Sequence, residues 1–281
     1  MATINCKGQL IDLKTSRVMG IINVTPDSFY DGGATLNIED IVEQAGTMLS
    51  EGATFFDVGG YSTRPGAAEV SITEEMERVL PAIRAILDSF PKAIISVDTF
   101  RSEVARVSVE AGAAMINDVS GGQADPQMLP TIAELQVPFV MMHSRGNPRN
   151  MQTMTQYEQI TRDLLYYFSE HLAKARSLGI NDLIVDPGFG FAKTLEQNYE
   201  LLSQLELLQS LKTPVLVGLS RKSMIYKLLD SSPAEALNGT TALHTVSLIK
   251  GADILRVHDV REAVECVKLV EQMNLPENGI F

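Results

Sequence analysis

The chain has 281 residues, 45% of them hydrophobic, and a formal net charge of -12; a chain of this size fits one barrel domain as easily as two ordinary domains. Its acidic balance argues against general affinity for nucleic acid or an anionic membrane, so an anionic ligand must meet a local basic cluster. Cys6 and Cys266 lie near opposite ends without CxxC or Cys/His spacing, which signals neither a disulfide framework nor a zinc site.

The first segment, MATINCKGQLIDLKT, lacks the basic stretch and apolar core of a signal peptide. No run of about 18 apolar residues suggests a membrane span. A reducing cytoplasm is the expected location. Residues 1–16, with Lys7-Gly8 between two short runs, predict a β-hairpin that caps a barrel floor. No linker divides the rest of the chain, so a single domain over 1–281 is expected, with the barrel at 17–273 and a C-terminal tail at 274–281.

Eight short runs rich in Val and Ile then recur: RVMGIIN at 17–23, ATFFDVG at 53–59, AIISVD at 93–98, AAMINDV at 113–119, VPFVMMH at 137–143, DLIVDPG at 182–188, PVLVGLS at 214–220 and ADILRVH at 252–258. Each is nearly continuously apolar, the pattern of strands covered on both faces in a parallel sheet. Between them lie helical spacings, such as Ile38, Ile41, Val42, Ala45 and Leu49, or Tyr157, Ile160, Leu164, Phe168 and Leu172. Parallel strands need such crossovers. The alternation predicts an α/β fold, a closed (β/α)8 TIM barrel; a doubly wound open sheet stays open, because sequence does not show closure.

The C-terminal ends of these strands carry Asn23, Asp57, Asp98, Asn117 with Asp118, His143, Asp186, Ser220-Arg221-Lys222, and Arg256 with His258. In a barrel those ends converge on the top face, where active sites are built. Any one Asp, Asn or Ser could instead cap a helix; eight polar ends at one level argue for a site. Buried Asp57, Asp98 and Asp186 need donors, which a planar nitrogen-rich heterocycle would supply. Arg221, Lys222, Arg256 and His258 follow the last two strands, where barrels commonly hold phosphate. They could also be solvated helix starts, and Lys222 could form a Schiff base. Two long loops rich in turn formers, NVTPDSFYDGGA from Asn23 and GGYSTRPGAAE from Gly59, have the composition of segments that close over a ligand.

Taken in order, MGIINVTPDSFYDGG, FDVGGYSTRPGA, ISVDTFR, INDVSGG, MMHSRGNP, VDPGFGF, GLSRKS and RVHDV resemble the dihydropteroate synthase family over essentially the full length. The resemblance implies a transferase that condenses 6-hydroxymethyl-7,8-dihydropterin pyrophosphate with 4-aminobenzoate by an SN1-like substitution, in folate biosynthesis. It implies catalytic roles for Asp98, Lys222 and Arg256, and a pterin site of Asp98, Asn117, Met141, Asp186 and Lys222. It also implies pyrophosphate binding by Asn23, Thr63, Arg64, Arg256 and His258, with Asn23 helping to hold Mg2+. Phe29, Pro65, Phe191, Lys222 and Ser223 would bind 4-aminobenzoate, and sulfonamides in its place. A homodimer joined through late helices is implied as well. Tyr61 departs from the family, which commonly has Glu there. A catalytically silent pterin-binding paralogue would have lost Asp98, Lys222 or the loop motifs, and a pterin-dependent methyltransferase domain would come with a corrinoid-binding partner.

Overall fold

The computed structural model describes residues 3–25, 37–61, 69–146 and 153–274. An antiparallel hairpin, β1 (Thr3–Cys6) and β2 (Gln9–Asp12), opens the chain. Eight parallel strands follow: β3 (Arg17–Asn23), β4 (Phe55–Gly59), β5 (Ile94–Asp98), β6 (Met115–Asp118), β7 (Phe139–Met142), β8 (Leu183–Asp186), β9 (Leu216–Val217) and β10 (Ile254–Val257). From β3 to β8 each strand pairs with the next, while β10 lies between β9 and β3. A parallel bridge, Val185 to Val215, brings the last two edges together. The sheet therefore closes as a barrel, and the open doubly wound alternative is excluded.

Helices cover the outside: α1 (Ile38–Glu51), α2 (Ile72–Ser89), α3 (Ser102–Glu110), α4 (Met128–Leu135), α5 (Ile160–Ser177), α6 (Leu195–Ser203), the short α7 (Ser223–Tyr226), α8 (Leu237–Ile249) and α9 (Val260–Asn274). Their starts follow local chemistry. Asn37 and Ser71 accept backbone N–H groups at the first turns of α1 and α2, and Thr194 with Gln197 forms a capping box on α6. α5 buries Ile160, Leu164, Phe168 and Leu172, as its spacing predicts. On α1 the buried stripe is Ile41, Ala45 and Met48, whereas Leu49 is 42% exposed; the helix is rotated by one position from the expected face.

The strands alternate between two cores, because successive side chains point to opposite faces. Val18, Phe56, Val97, Ile116, Met141, Val185 and Val257 belong to the large cluster between sheet and helices. Met19, Phe55, Ile94, Met115, Val140, Ile184, Leu216 and Ile254 point inward and meet Ile4, Cys6, Ile11 and Leu13 of the hairpin and the residue after it. The hairpin therefore plugs the barrel floor. Two residues farther along each strand, the inward positions are Ile21, Asp57, Ser96, Asn117, Met142, Asp186, Gly218 and Arg256. Five of these eight are polar or charged, so the interior turns from wholly apolar to mostly polar in a single step of the pleat.

Most strands are a residue or two shorter than expected at one or both ends, and β9 is reduced to two residues from the expected 214–220. Its cause is local. The Asp253 carboxylate accepts the Val215 N–H at 2.7 Å, taking a position that a ladder carbonyl would otherwise fill. Within the tail expected at 274–281, residues 275–281 lie outside the described residues.

Candidate active site

A cavity of about 240 Å³ opens at the C-terminal ends of the barrel strands. Asn23, Asp98, Asn117, Met142, Asp186, Lys222, Arg256 and His258 line it, together with Ile21, Tyr61, Phe191 and Ser220. Strand register explains the composition, since the inward column continues beyond the apolar floor on every strand.

Arg256 is the centre of the polar network. Its Nε donates to Asp57 Oδ2 at 2.5 Å and its Nη2 donates to Asp98 Oδ2 at 2.9 Å. Asp57 is wholly buried and also accepts from Ser96 Oγ at 2.6 Å and Asn117 Nδ2 at 2.9 Å. Burial takes water away from this carboxylate, and three protein donors take its place. Burial pushes the Asp98 carboxyl up, to about 7, against the downward pull of Arg256 and with the help of Asp57. Burial and the two carboxylates oppose one another at Arg256, and the carboxylates win, holding its pKa above the ordinary value.

On the opposite wall, Asp186 accepts the Gly188 N–H at 2.7 Å, and burial raises its pKa although Lys222 pulls it down. Lys222 donates to the Phe189 carbonyl at 2.5 Å, and its Nζ stands 4.6 Å from the centre of the Phe191 ring. Burial pushes Lys222 down to about 8, with Asp186 resisting and Arg256 assisting the shift. Nearby His143 is buried and held neutral, first by burial and then by Lys193.

The cavity thus gathers Asn23, Asp98, Asn117, Asp186, Phe191, Lys222, Arg256 and His258 of the expected site residues. Met141 is a correction. It faces the helices and is fully buried there, whereas Met142 lines the cavity. The two-residue period from Val140 carries this assignment. Ser223 borders an adjoining groove with Gly190 and Lys193. Phe29, Thr63, Arg64 and Pro65 lie outside the described residues.

Three strand-end groups serve turns or clamps. Asp118 points outward and accepts the Ser120 and Gly122 N–H groups. Arg221 grips both Asp259 oxygens, at 2.8 and 2.7 Å, and two carbonyls of the loop before α8; it ties two βα loops together at the cavity edge. His143 contacts aromatic rings and Lys193 rather than the cavity. Conversely, Asp57 holds Arg256 and Ser96 steadies Asp57, roles that only spatial pairing reveals.

A family model described as "Pterin binding enzyme" matches residues 19–258. The chain belongs to this pterin-binding enzyme family. Dihydropteroate synthase of Escherichia coli (strain K12) is 46% identical over 267 residues, 94% of each chain. The solved Yersinia pestis dihydropteroate synthase with a sulfonamide drug matches with a TM-score of 0.92 at 43% identity, over 97% of this chain and 99% of that one. The Xanthomonas albilineans dihydropteroate synthase with 4-aminobenzoic acid gives 0.90 at 39% identity, over 97% and 98%. A pterin-binding enzyme needs donors and acceptors for a fused heterocycle, and the carboxylates, amide and lysine of this cavity offer both.

Proposed function

We propose that this pterin-binding enzyme is a dihydropteroate synthase. It condenses 6-hydroxymethyl-7,8-dihydropterin pyrophosphate with 4-aminobenzoate, giving 7,8-dihydropteroate and pyrophosphate in folate biosynthesis. The observation that carries this reading is the division of charge in one cavity. Asp98 and Asp186 stand on inward columns with Asn117 between their strands, while Arg256 lies on β10, and His258 and Lys222 follow β10 and β9.

Asp98, Asn117, Asp186 and Lys222 hold the pterin ring, and Met142 supplies an apolar contact. Asn23, Arg256 and His258 face the pyrophosphate, joined by Thr63 and Arg64. The C–O bond to pyrophosphate breaks first, and its electron pair leaves with the oxygen. The remaining pterin methylene cation is then attacked by the nitrogen lone pair of 4-aminobenzoate, which afterwards loses a proton. In its ionised form Asp98 lowers the energy of that cation, because the carboxylate is held in place before the cation forms. Arg256 bridges Asp57 and Asp98, so its guanidinium stands where the carboxylate end meets the leaving-group end.

Phe191, Lys222 and Ser223, with Phe29 and Pro65, form the 4-aminobenzoate site, where sulfonamides compete. Asn23 suits Mg2+: its amide offers a hard oxygen donor at the cavity wall, and Mg2+ commonly takes its remaining ligands from phosphate and water. When bound, the ion would supply charge neutralisation at the departing pyrophosphate. A homodimer and a cytoplasmic location complete the proposal. The exposed Ile249, Leu269 and Met273 on α8 and α9 support the first, and the free buried Cys6 and Cys266 support the second.

The test is a coupled assay of pyrophosphate release with pterin pyrophosphate and Mg2+, with and without 4-aminobenzoate. Release together with dihydropteroate formation is expected. Tight pterin binding without product would make the chain a silent binding module instead.

A further inference from the structure

The loop between β8 and α6 wraps around the buried amine of Lys193, whose pKa burial pushes down to about 7 against the pull of Asp186. Lys193 is 5% exposed, and its Nζ meets Gly188 O at 2.9 Å, Phe191 O at 3.0 Å and His143 Nδ1 at 3.2 Å. An ammonium has three donors, and neutral His143 in its Nε2-protonated tautomer provides the third acceptor. Every donor is therefore matched.

The loop needs such a clamp because its backbone is unusual. Gly188, Gly190 and Ala192 all lie in the left-handed region, at φ 68°, 81° and 49°. Ala192 adopts this conformation against the steric preference of a residue with a Cβ. A Cβ on Gly188 would stand 2.1 Å from the His143 carbonyl oxygen, so the loop is pressed directly onto the end of β7. Outside the Lys193 bonds, Tyr157 donates to Ala192 O at 2.9 Å and Gly190 N donates to Asn198 Oδ1 at 2.7 Å.

Two groups that this loop presents touch Lys222: the Phe189 carbonyl and the Phe191 ring. Phe189 lies between the two residues whose carbonyls Lys193 holds, and Phe191 is itself one of them. We propose that Lys193 is a positioning residue, which acts through the Gly188–Phe191 loop to fix the pose of Lys222 and of the Phe191 wall of the aromatic-amine site. The inference rests on the synthase reading of the same cavity. Lys193 need not touch either substrate.

The experiment compares wild type with Lys193→Met, which keeps the unbranched apolar stem and removes the amine with its donors. The KM for 4-aminobenzoate is measured beside inhibition by inorganic pyrophosphate. Asn23, Arg256 and His258 belong to other strands, so the inhibition constant should stay within about twofold, while KM rises about tenfold or more, the scale of a small misplacement in a site. Lys193→Gln keeps two donors and should restore part of the lost affinity. If Lys193→Met does not fold, Lys193→Gln decides alone: a raised KM with unchanged pyrophosphate inhibition supports the inference. Unchanged KM in the folded variants overturns it, as does a parallel loss of pyrophosphate inhibition, which would mark a global structural role. Product from wild type separates these failures from failure of the synthase reading, because absence of product from wild type overturns both.

Discussion

Replacing Asp57 by Asn tests the barrel's polar layer most directly. The substitution keeps shape but removes the charge from a carboxylate that is wholly buried and receives Ser96 Oγ, Asn117 Nδ2 and Arg256 Nε. Asn offers one oxygen and one NH2 group, so one of the three donors loses its acceptor, and only the Ser96 hydroxyl can turn to accept instead. Breaking a buried ion pair by removing one partner commonly costs about 3–5 kcal/mol. Arg256 keeps Asp98 at 2.9 Å, so the lower part of that range applies, about 3–4 kcal/mol including one unsatisfied donor. For a domain of this size, that predicts a fall in Tm of roughly 5–7 °C. Arg256 should also be drawn toward Asp98, and kcat/KM should fall about 100-fold if the placement of the guanidinium governs turnover. Differential scanning calorimetry and the dihydropteroate assay read the two effects. A Tm within about 2 °C of wild type and activity within about twofold would refute the claim that Asp57 anchors Arg256.

Asp98→Asn should lower kcat by roughly 100-fold or more while changing pterin affinity far less, because it removes charge where the cation forms; equal losses in both would defeat that role. The pKa of Lys222, pushed down by burial to about 8, gives affinity for the pterin pyrophosphate a defined pH dependence. Below that pH the ammonium is charged and its contribution is present; above it the contribution is lost, by at most about tenfold per pH unit for one proton. Isothermal titration from pH 7 to 9 against Lys222→Arg, which stays charged and shares the ligand's own ionisation, should show the extra fall only in wild type. Ile4→Ala in the hairpin should cost about 2–4 kcal/mol of stability without moving either KM, and a changed KM would show that the floor influences the mouth.

The sequence makes the barrel legible because each strand is apolar on both faces and ends in a polar group. Arg17 and Asn23 bracket β3 so closely that the expected and observed limits coincide. Helix rotation is less legible: Met48 and Leu49 both fit an apolar stripe, and only packing distinguishes them. The same applies to Met141 and Met142, where continuous hydrophobicity erases the alternation and the inward column must be counted from a residue already placed. Arg221 looks like Lys222 in the motif SRKS, but its pairing with Asp259 depends on two loops 38 residues apart. Lys193 is the clearest case. A lysine beside a glycine-rich loop resembles an exposed residue until its three acceptors are known.

Charge placement in the barrel also separates what stabilises the fold from what equips the site. The floor layer is filled by apolar side chains and sealed by the hairpin, a source of stability with no polar desolvation to offset. One pleat step higher, Asp57, Ser96, Asn117 and Arg256 occupy positions where apolar groups of similar volume would stabilise the fold as well or better, since desolvation cancels much of a buried pair's attraction. Stability therefore does not explain this layer. Its geometry does: Arg256 is held by Asp57 from below while its other edge reaches Asp98 at the cavity, so the guanidinium cannot move without breaking a buried bond. The restraint sets the direction of a cation in a molecule whose formal net charge is -12. Without this local order, the surrounding acidity would repel a pyrophosphate; with it, the repulsion is overcome at one mouth of one barrel.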